Sequence, residues 1–475
     1  MGVGEPVDMT GGHMRVGLFA LTSLMLAIGG PVLAEDAAGD WVGKLGTLRV
    51  GLHLSQASGG SYKGYMLSLD QGGAKIPLDS IVTTPTQLSY HGANAKLGVD
   101  GRFEGAWDAA QKAWVGSWAQ GGTVPLSFTR VVAPEAAKVS RRPQEEAIAG
   151  QVSPFPSVEV RFRNGDVTLA GTFSKPKGEG PFPAVVLIGG TGANNRDEEG
   201  FGHKEFVVLA DALNRAGIAV LRYDKRGVGA SSGQYEFSTT ADFAEDGAAA
   251  VALLASRSDV DASHIGIVGH SEGAMIAPMI AGHIKTVAFV VLIAGVTVPG
   301  DEASLLQLEA LDRASHVSEG EIQAKLAVRR QIYALIRAAA SPEEARAHLV
   351  VAAKPLVEQG LYTQAQADGA DALFTSPWWY WALRYDPQSD LQKVSVPVLA
   401  LYGSLDLQVP PSGHIPALRE DLKANSDVTI IELPGLNHLL QHAVTGSPEE
   451  YAQIEETLAP EALSTLCDWA AKHSQ

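Results

Sequence analysis

The chain has 475 residues, 45% hydrophobic and 19% charged, an ordinary globular composition whose length predicts about two or three domains. Its formal net charge of −17 argues against nucleic acid and anionic membranes as partners. A single cysteine, Cys467, excludes an intrachain disulfide and a zinc site built on cysteines.

The N-terminus carries the pattern of a signal peptide, residues 1–34. Arg15 precedes an apolar run over residues 16–28, and small residues end the segment at Val32-Leu33-Ala34. The run is shorter than a comfortable membrane-spanning helix. We therefore predict cleavage after Ala34, no stable membrane insertion of the mature chain, and an exported protein, periplasmic or secreted. An uncleaved membrane anchor is the alternative.

Residues 38–131 predict a β-rich accessory domain. Short alternating runs such as Leu48–Leu54 and Arg102–Trp107 are separated by turn signals such as Asp100-Gly101. About seven or eight closely spaced strands without helical periodicity favour a small antiparallel barrel or half-barrel. Its tryptophans are interpreted as core residues, with a ligand groove as the alternative. They are Trp107, Trp114 and Trp118.

Residues 132–157 are interpreted as a linker. The stretches 141–146 and 153–156 have no hydrophobic period, and Pro154 and Pro156 favour extended backbone. A domain boundary is expected here.

Residues 158–475 predict an α/β domain. After an opening hairpin around Asn164-Gly165-Asp166, apolar strands alternate with helices, which indicates a mostly parallel sheet covered on both faces. The strands are predicted at residues 184–188, 218–222, 264–268, 287–293, 396–402 and 428–433. Residues about 300–391 interrupt this pattern with charged helical sequence. They are predicted to form a helical cap over the carboxyl ends of the strands.

The segment Gly269-His270-Ser271-Glu272-Gly273 lies between an apolar strand and an apolar helix. A strand, then Gly-x-Ser-x-Gly, then a helix is the context of a nucleophile elbow. The turn is tight enough that its neighbours must be small, which Gly269 and Gly273 satisfy. Ser271 is therefore the predicted nucleophile.

A serine nucleophile needs a base, and the base needs an orienting acid. Loops after parallel strands converge on one sheet edge. Asp406 follows the strand at 396–402 and His438 follows the strand at 428–433, so these two are the predicted acid and base. The rival histidines are His414, expected to be exposed, and His442, too far past the strand end. The rival acids Asp386 and Asp390 precede a strand instead of following one.

The oxyanion of a tetrahedral intermediate needs backbone amides. Glu272 is predicted to supply one, and the glycine-rich loop 189–193 the other, with Thr191 preferred over Gly190. The loop lacks the lysine of a nucleotide P-loop, and the segment at 270 lacks the second histidine of a zinc motif. No cofactor and no metal are expected.

Five segments together resemble the α/β-hydrolase superfamily, in its bacterial esterase, lysophospholipase and serine-aminopeptidase-like branch. Beside the Gly-x-Ser-x-Gly segment, they are Gly190-Thr191-Gly192 with Arg196-Asp197-Glu198, Tyr223–Ser231, Gly403–Pro410 and Leu433–His438. The resemblance covers residues about 155–475 and implies an α/β-hydrolase fold and ester hydrolysis through an acyl-enzyme. Relatives often begin the oxyanion loop with His-Gly. Position 189 is Gly here, which leaves the supporting hydrogen bonds of that loop open.

Two further segments allow more than one interpretation. The aromatic residues Trp378, Trp379 and Tyr380 either line an acyl or aryl pocket over Ser271 or pack the cap against the core. The segment Tyr223–Gly227 is interpreted as a structural loop whose Arg226 is held by carboxylates.

The leading hypothesis is an exported carboxylesterase acting on a small-molecule ester with a small or medium acyl chain. A serine peptidase of the aminopeptidase or prolyl type, using the same three residues, is the alternative. A non-catalytic binding protein is a third hypothesis, which the complete set of catalytic residues disfavours. The sequence leaves the oligomeric state and the role of the β-rich domain open.

Overall fold

The computed structural model describes residues 37–45, 48–56, 60–68, 75–94, 99–120, 123–130, 141–150, 154–358 and 374–474. The predicted signal peptide, residues 1–34, lies outside the described residues. In the part of the chain that is described, no helix is both long and apolar enough to cross a membrane.

The N-terminal domain is a closed barrel of eight antiparallel strands, β1 to β8. The barrel closes where β1 pairs with β8, with Trp41 opposite Arg130. Trp114 and Trp118 are buried inside it, and Gly101 leaves room for the indole of Trp118, since an added Cβ would lie 2.4 Å from that ring. The strands are Gly39–Leu45, Leu48–Gln56, Tyr62–Ser68, Lys75–Thr83, Gln87–Asn94, Val99–Asp108, Ala113–Ala119 and Thr123–Arg130.

The segment predicted as a linker contains a helix, α1 (Pro143–Ala149). It has no buried residue of its own, which explains why the sequence lacks a hydrophobic period there. Its polar side chains are bound by a distant segment instead. Gln144 accepts hydrogen bonds from the amides of Thr457 (2.7 Å) and Leu458 (3.0 Å). The sequence analysis, which interpreted residues 132–157 as a linker, did not predict this helix.

The second domain is built on an eight-stranded sheet with the order β18-β17-β16-β15-β11-β14-β10-β9. Strands β11 and β14 to β18 are parallel, while β9 and β10 form the antiparallel opening hairpin. This confirms the predicted fold class. The strands are β9 Ser157–Asn164, β10 Val167–Ser174, β11 Phe182–Ile188, β14 Ala219–Tyr223, β15 Val260–His270, β16 Val287–Ile293, β17 Val398–Gly403 and β18 Val428–Leu433; a small hairpin contains β12 Glu199–Gly200 and β13 His203–Lys204.

Helices cover both faces of this sheet, because its strands are apolar on both sides. One face packs against α3, α4 and α10, and the other against α2 and α11. Cys467 of α11 is buried in the second of these cores. These helices are α2 Glu205–Arg215, α3 Thr240–Ala255, α4 Glu272–Ala281, α10 Pro411–Asp421 and α11 Pro460–His473; short 3-10 turns lie at Tyr235–Phe237 and Tyr451–Gln453.

A helical cap is inserted between β16 and β17. It has an apolar cluster of its own, which includes Tyr333, Ile336, Leu349, Phe374 and Leu383. Its described helices are α5 Gly300–Ala314, α6 Glu319–Ala338, α7 Pro342–Glu358, α8 Pro377–Ala382 and α9 Gln388–Leu391. The cap therefore folds around its own core while both of its ends return to the sheet.

Candidate active site

Ser271 occupies the turn between β15 and α4 in a backbone conformation that L-residues rarely adopt. Its φ is 53° and its ψ is −112°. The turn tolerates no larger neighbours, since a Cβ on Gly269 would lie 2.1 Å from the carbonyl oxygen of Gly273. The amide of Ser271 donates to the carbonyl of Ile293 at 2.8 Å, which anchors the turn to β16. Strain of this kind persists only where the surroundings enforce it.

Asp406 and His438 form a buried pair beyond the ends of β17 and β18. His438 Nδ1 lies 2.8 Å from Asp406 Oδ2. The other carboxylate oxygen of Asp406 accepts from the amides of Gln408 and Val409, each at 2.8 Å. Because the carboxylate is held at both oxygens, it fixes the ring of His438, and Nδ1 carries the proton that points at it. Nε2 is then the ring nitrogen that accepts a proton.

Ser271, Asp406 and His438 follow β15, β17 and β18, whose carboxyl ends lie along one edge of the sheet. The link between the serine turn and His438 is His270. The rings of His270 and His438 have centroids 4.9 Å apart, and His270 Nε2 lies 3.2 Å from the carbonyl oxygen of His438. His438, the predicted base, therefore contacts the residue directly before Ser271.

The loop after β11 approaches Ser271 from the neighbouring strand. A Cβ on Gly190 would lie 3.1 Å from the Cβ of Ser271, so glycine permits this approach. The Gly190 amide already donates to Glu198 Oε1 at 2.5 Å. The amide of the adjacent, exposed Thr191 is therefore the better candidate for an oxyanion donor.

The supporting contacts of this loop, which the sequence left open, come from side chains outside position 189. The carbonyl of Gly190 accepts from Asn194 Nδ2 at 2.7 Å and from Lys225 Nζ at 2.5 Å. Together with Glu198 on the amide, these contacts hold both backbone polar groups of Gly190.

Glu272 is the first residue of α4, and the first amides of a helix have no acceptor within the helix. Its amide is therefore the second candidate donor. Its side chain is buried and accepts from Lys225 Nζ (2.8 Å), Thr240 Oγ1 (2.7 Å) and Trp378 Nε1 (2.6 Å). Lys225 thus connects Glu272 to the loop after β11, a contact that the sequence did not reveal.

The loop that contains Lys225 is built from ion pairs. Arg226 makes a bidentate contact with Asp246, with both distances 2.7 Å. Arg196 makes another with Asp224, at 2.9 and 3.1 Å. Arg226 is thus held by carboxylates, as the sequence interpretation expected.

The three aromatic residues of α8 have different neighbours. Trp378 packs against the core of the sheet and donates to Glu272, so it lies beside the candidate site. Trp379 stacks edge-on with Phe374 within the cap cluster. The hydroxyl of Tyr380 donates to the carbonyl of Ala339 at 3.0 Å, also within the cap. Only Trp378 is therefore joined by a described hydrogen bond to the residues around Ser271.

A buried cluster behind the oxyanion loop was not predicted. His270 Nδ1 lies 3.0 Å from Glu198 Oε1 and 3.6 Å from Glu205 Oε2. Burial disfavours charge on His270, but the two carboxylates raise its pKa to about 10. Burial raises the pKa of Glu205 to about 8. Within the described residues these three side chains form the one group whose atoms are close enough to hold a metal ion.

The two rival histidines, His414 and His442, differ in burial. His414 is fully buried, so the expectation that it is exposed was wrong. It lies on α10, and its Nδ1 accepts from the amide of Thr297 at 3.1 Å. His442 is exposed and lies between Glu456 and Glu461. Neither contacts Asp406 through a described hydrogen bond.

A family model described as "Alpha/beta hydrolase family" matches residues 185–454, more than half of the chain. The chain belongs to the α/β-hydrolase family. It is 32% identical over 285 residues to "Esterase EstD" of Thermotoga maritima, an alignment that covers 59% of this chain and 60% of that relative. The chain thus aligns with less than two thirds of that protein's length.

Two solved structures of low sequence identity are among those that match the chain. An α/β hydrolase named GrgF from Penicillium sp. sh18 is 20% identical, with 67% of this chain and 99% of that one covered and a TM-score of 0.41. An esterase named Pf2001 from Pyrococcus furiosus is 15% identical, with 67% and 93% covered and a TM-score of 0.40.

Proposed function

We propose that this α/β hydrolase is a carboxylesterase that cleaves small or medium acyl esters through an acyl-enzyme on Ser271. The observation that carries the proposal is the buried Asp406–His438 pair, 2.8 Å between its bonded atoms, at the sheet edge where Ser271 is held in strained backbone. The similarity to a protein named an esterase supports ester hydrolysis as the reaction.

In the first half of the proposed reaction, His438 Nε2 takes the proton of Ser271 Oγ as the hydroxyl oxygen bonds to the ester carbonyl carbon. The negative charge that develops on the carbonyl oxygen is accepted by the amides of Thr191 and Glu272. The ester carbon–oxygen bond then breaks, and His438 returns the proton to the leaving alcohol. Asp406 stabilises the imidazolium throughout.

In the second half, water replaces the alcohol. His438 removes a proton from water, the hydroxide oxygen attacks the acyl carbon, and the same two amides hold the second oxyanion. Release of the acid restores the hydroxyl of Ser271. Trp378 lies beside Glu272 and is the cap residue proposed to border the acyl group. Export through a cleaved signal peptide, residues 1–34, is part of the same proposal.

The decisive experiment combines labelling with a substrate panel. A fluorophosphonate probe is expected to label the wild type but not Ser271→Ala, and this variant should lose about 10⁴-fold or more in kcat on p-nitrophenyl butyrate. Ser404→Ala, which removes a hydroxyl that binds the amide of Gly435, is the matched control and should be labelled normally. Aminoacyl p-nitroanilides should not be turned over. Turnover of the anilides without the esters would contradict the esterase proposal in favour of a peptidase.

A further inference from the structure

His270 presents both ring nitrogens to acceptors. Nδ1 faces Glu198 Oε1 at 3.0 Å, and Nε2 faces the carbonyl oxygen of His438 at 3.2 Å. A carbonyl oxygen cannot donate, so Nε2 must carry a proton. A neutral imidazole has only one N–H, so Nδ1 would then be unprotonated and would face a carboxylate that cannot donate to it. The geometry therefore requires an imidazolium or a proton supplied by a neighbouring carboxyl group.

The charges around the ring favour the imidazolium. Burial alone would lower the pKa of His270, but Glu198 and Glu205 raise it to about 10. Burial is the largest cause that raises the pKa of Glu205, to about 8, and the His270 cation acts against it. An imidazolium at His270 thus faces the carboxylate of Glu198 at 3.0 Å, and this contact pairs the buried charge.

Glu198 connects this cation to the oxyanion loop. The oxygen that accepts from His270, Oε1, also accepts from the amide of Gly190 at 2.5 Å. Glu198 is itself held at a φ of 47°, a conformation that side-chain-bearing residues rarely adopt. Such strain is maintained only where the surroundings enforce it, and here it directs the carboxylate inward.

We propose that Glu198 and His270 are positioning residues, which fix the oxyanion loop relative to the segment that carries His438. The inference rests on the proposed function and adds to it. One continuous connection runs from the Gly190 amide through Glu198 and His270 to the carbonyl of His438. It holds two loops that lie far apart in sequence on opposite sides of Ser271.

Loss of this connection should reduce kcat more than it changes KM. The oxyanion exists only during the reaction, so a displaced amide weakens binding of the transition state and not of the ester. A shift of about 1 Å in a positioned group can cost about 100-fold in rate. We therefore expect Glu198→Ala to lower kcat by about 10- to 100-fold and to change KM by less than about threefold.

The experiment compares Glu198→Ala, Glu198→Gln and the control Glu199→Gln in the full-length mature protein with p-nitrophenyl butyrate. Glutamine keeps an oxygen for the Gly190 amide, so Glu198→Gln should recover part of the lost kcat. Glu199 contacts Asn195 instead, and its variant should match the wild type. A trifluoromethyl ketone, which forms an oxyanion when Ser271 adds to it, should lose affinity in step with kcat/KM. A purely structural defect would not produce that parallel.

The outcomes separate this inference from the proposed function. A wild type that hydrolyses no ester and takes no fluorophosphonate label contradicts the function. An active wild type with a folded Glu198→Ala variant within twofold of its kcat contradicts only the positioning role. If Glu198→Ala does not fold, Glu198→Leu, which fills the same space without an acceptor, takes its place, and wild-type kcat in that variant overturns the proposal. A chelator test can also overturn the positioning role. If a chelator abolishes the activity of the wild type and Zn²⁺ restores it, the cluster of Glu198, Glu205 and His270 is a metal site instead.

Discussion

Asp406→Asn replaces a carboxylate with an amide of the same shape. The substitution therefore tests how Asp406 orients His438 while it leaves the packing around the ring unchanged. In Asp406→Asn the amide NH₂ can face His438 Nδ1, which favours the tautomer with its proton on Nε2. That nitrogen could then no longer accept the proton of Ser271. We expect kcat on p-nitrophenyl butyrate to fall by about 10⁴-fold.

The control for this measurement is Asp386→Asn, an exposed acid that binds the amide of Gln388. It should leave kcat unchanged. A loss of less than about tenfold in Asp406→Asn would remove this residue from the proposed mechanism, since an orienting acid acts through the tautomer of its histidine.

His414 provides a pH test of stability. Burial lowers its pKa from 6.5 to about 4, and its Nδ1 already accepts from an amide. As the pH falls below 6.5, the unfolded chain binds a proton at this position and the folded protein does not. The free energy of unfolding should therefore decrease by about 3 kcal/mol between pH 6.5 and 4 because of this residue alone.

Urea unfolding of wild type and His414→Gln at pH 7.5 and 4.5 measures this effect. The variant keeps an oxygen for the amide of Thr297 and should lose less stability on acidification than the wild type. His442→Gln is the control with the opposite sign, because Glu456 and Glu461 raise the pKa of His442. Equal acid sensitivity in wild type and His414→Gln would show that the buried ring does not titrate as described.

At the scale of elements, one hydrogen bond joins the cap to the start of α4. Trp378 Nε1 donates to Glu272 Oε1 at 2.6 Å. Trp378→Phe keeps the aromatic packing and removes this donor. Lys225 and Thr240 still hold the carboxylate. A hydrogen bond to a charged group is worth about 1.5–3 kcal/mol. Because two other donors remain on Glu272, we expect only part of that energy to be lost, which corresponds to a fall in kcat of up to about tenfold.

Trp379→Phe is the matched variant, since Trp379 stacks inside the cap cluster. Any effect of that substitution should appear in the melting temperature and not in kcat. A wild-type kcat in Trp378→Phe would show that the contact between cap and α4 plays no part in the reaction.

The strands of the central sheet were predicted well, because the apolar runs of a parallel sheet covered on both faces are visible directly in the sequence. Candidate residues that follow such strands, like Asp406 and His438, could be placed for the same reason. Contacts between side chains on different elements could not. Glu198 meets His270, and Lys225 meets Glu272, across 72 and 47 residues of chain. His414 was misjudged because its burial depends on the packing of α10 against the loop of Thr297.

At the scale of the whole molecule, helix α1 connects the segment interpreted as a linker to a distant part of the sheet domain. It has no buried residue of its own, yet Glu145 accepts from the hydroxyl of Thr457 at 2.6 Å, 312 residues later. Thr457 contacts His203 at 2.9 Å, and His203 contacts Gln441 at 3.0 Å, near His438. The helix therefore supports the segment that carries the proposed base.

The barrel contacts the sheet domain in a different way from helix α1. Its apolar side chains form a cluster of their own, separate from the two cores of the sheet. An ion pair between Lys44 and Glu449 bridges the two domains, and both side chains are exposed. Exposed ion pairs contribute little to stability. The sheet domain should therefore fold without the barrel, provided that α1 is kept.

Two shortened chains test this division. One that begins at residue 141 should keep kcat within about twofold of the full protein, since every described partner of α1 is retained. One that begins at residue 158, after the linker as the sequence defined it, loses the hydrogen bonds of Gln144 and Glu145. Its free energy of unfolding should be lower by about 3 kcal/mol or more, because several buried polar groups lose their partners. Urea unfolding and kcat on p-nitrophenyl butyrate measure both chains.

Equal stability of the two would show that α1 belongs to the linker after all, whereas an inactive but folded chain from residue 141 would assign the barrel a direct role in the reaction.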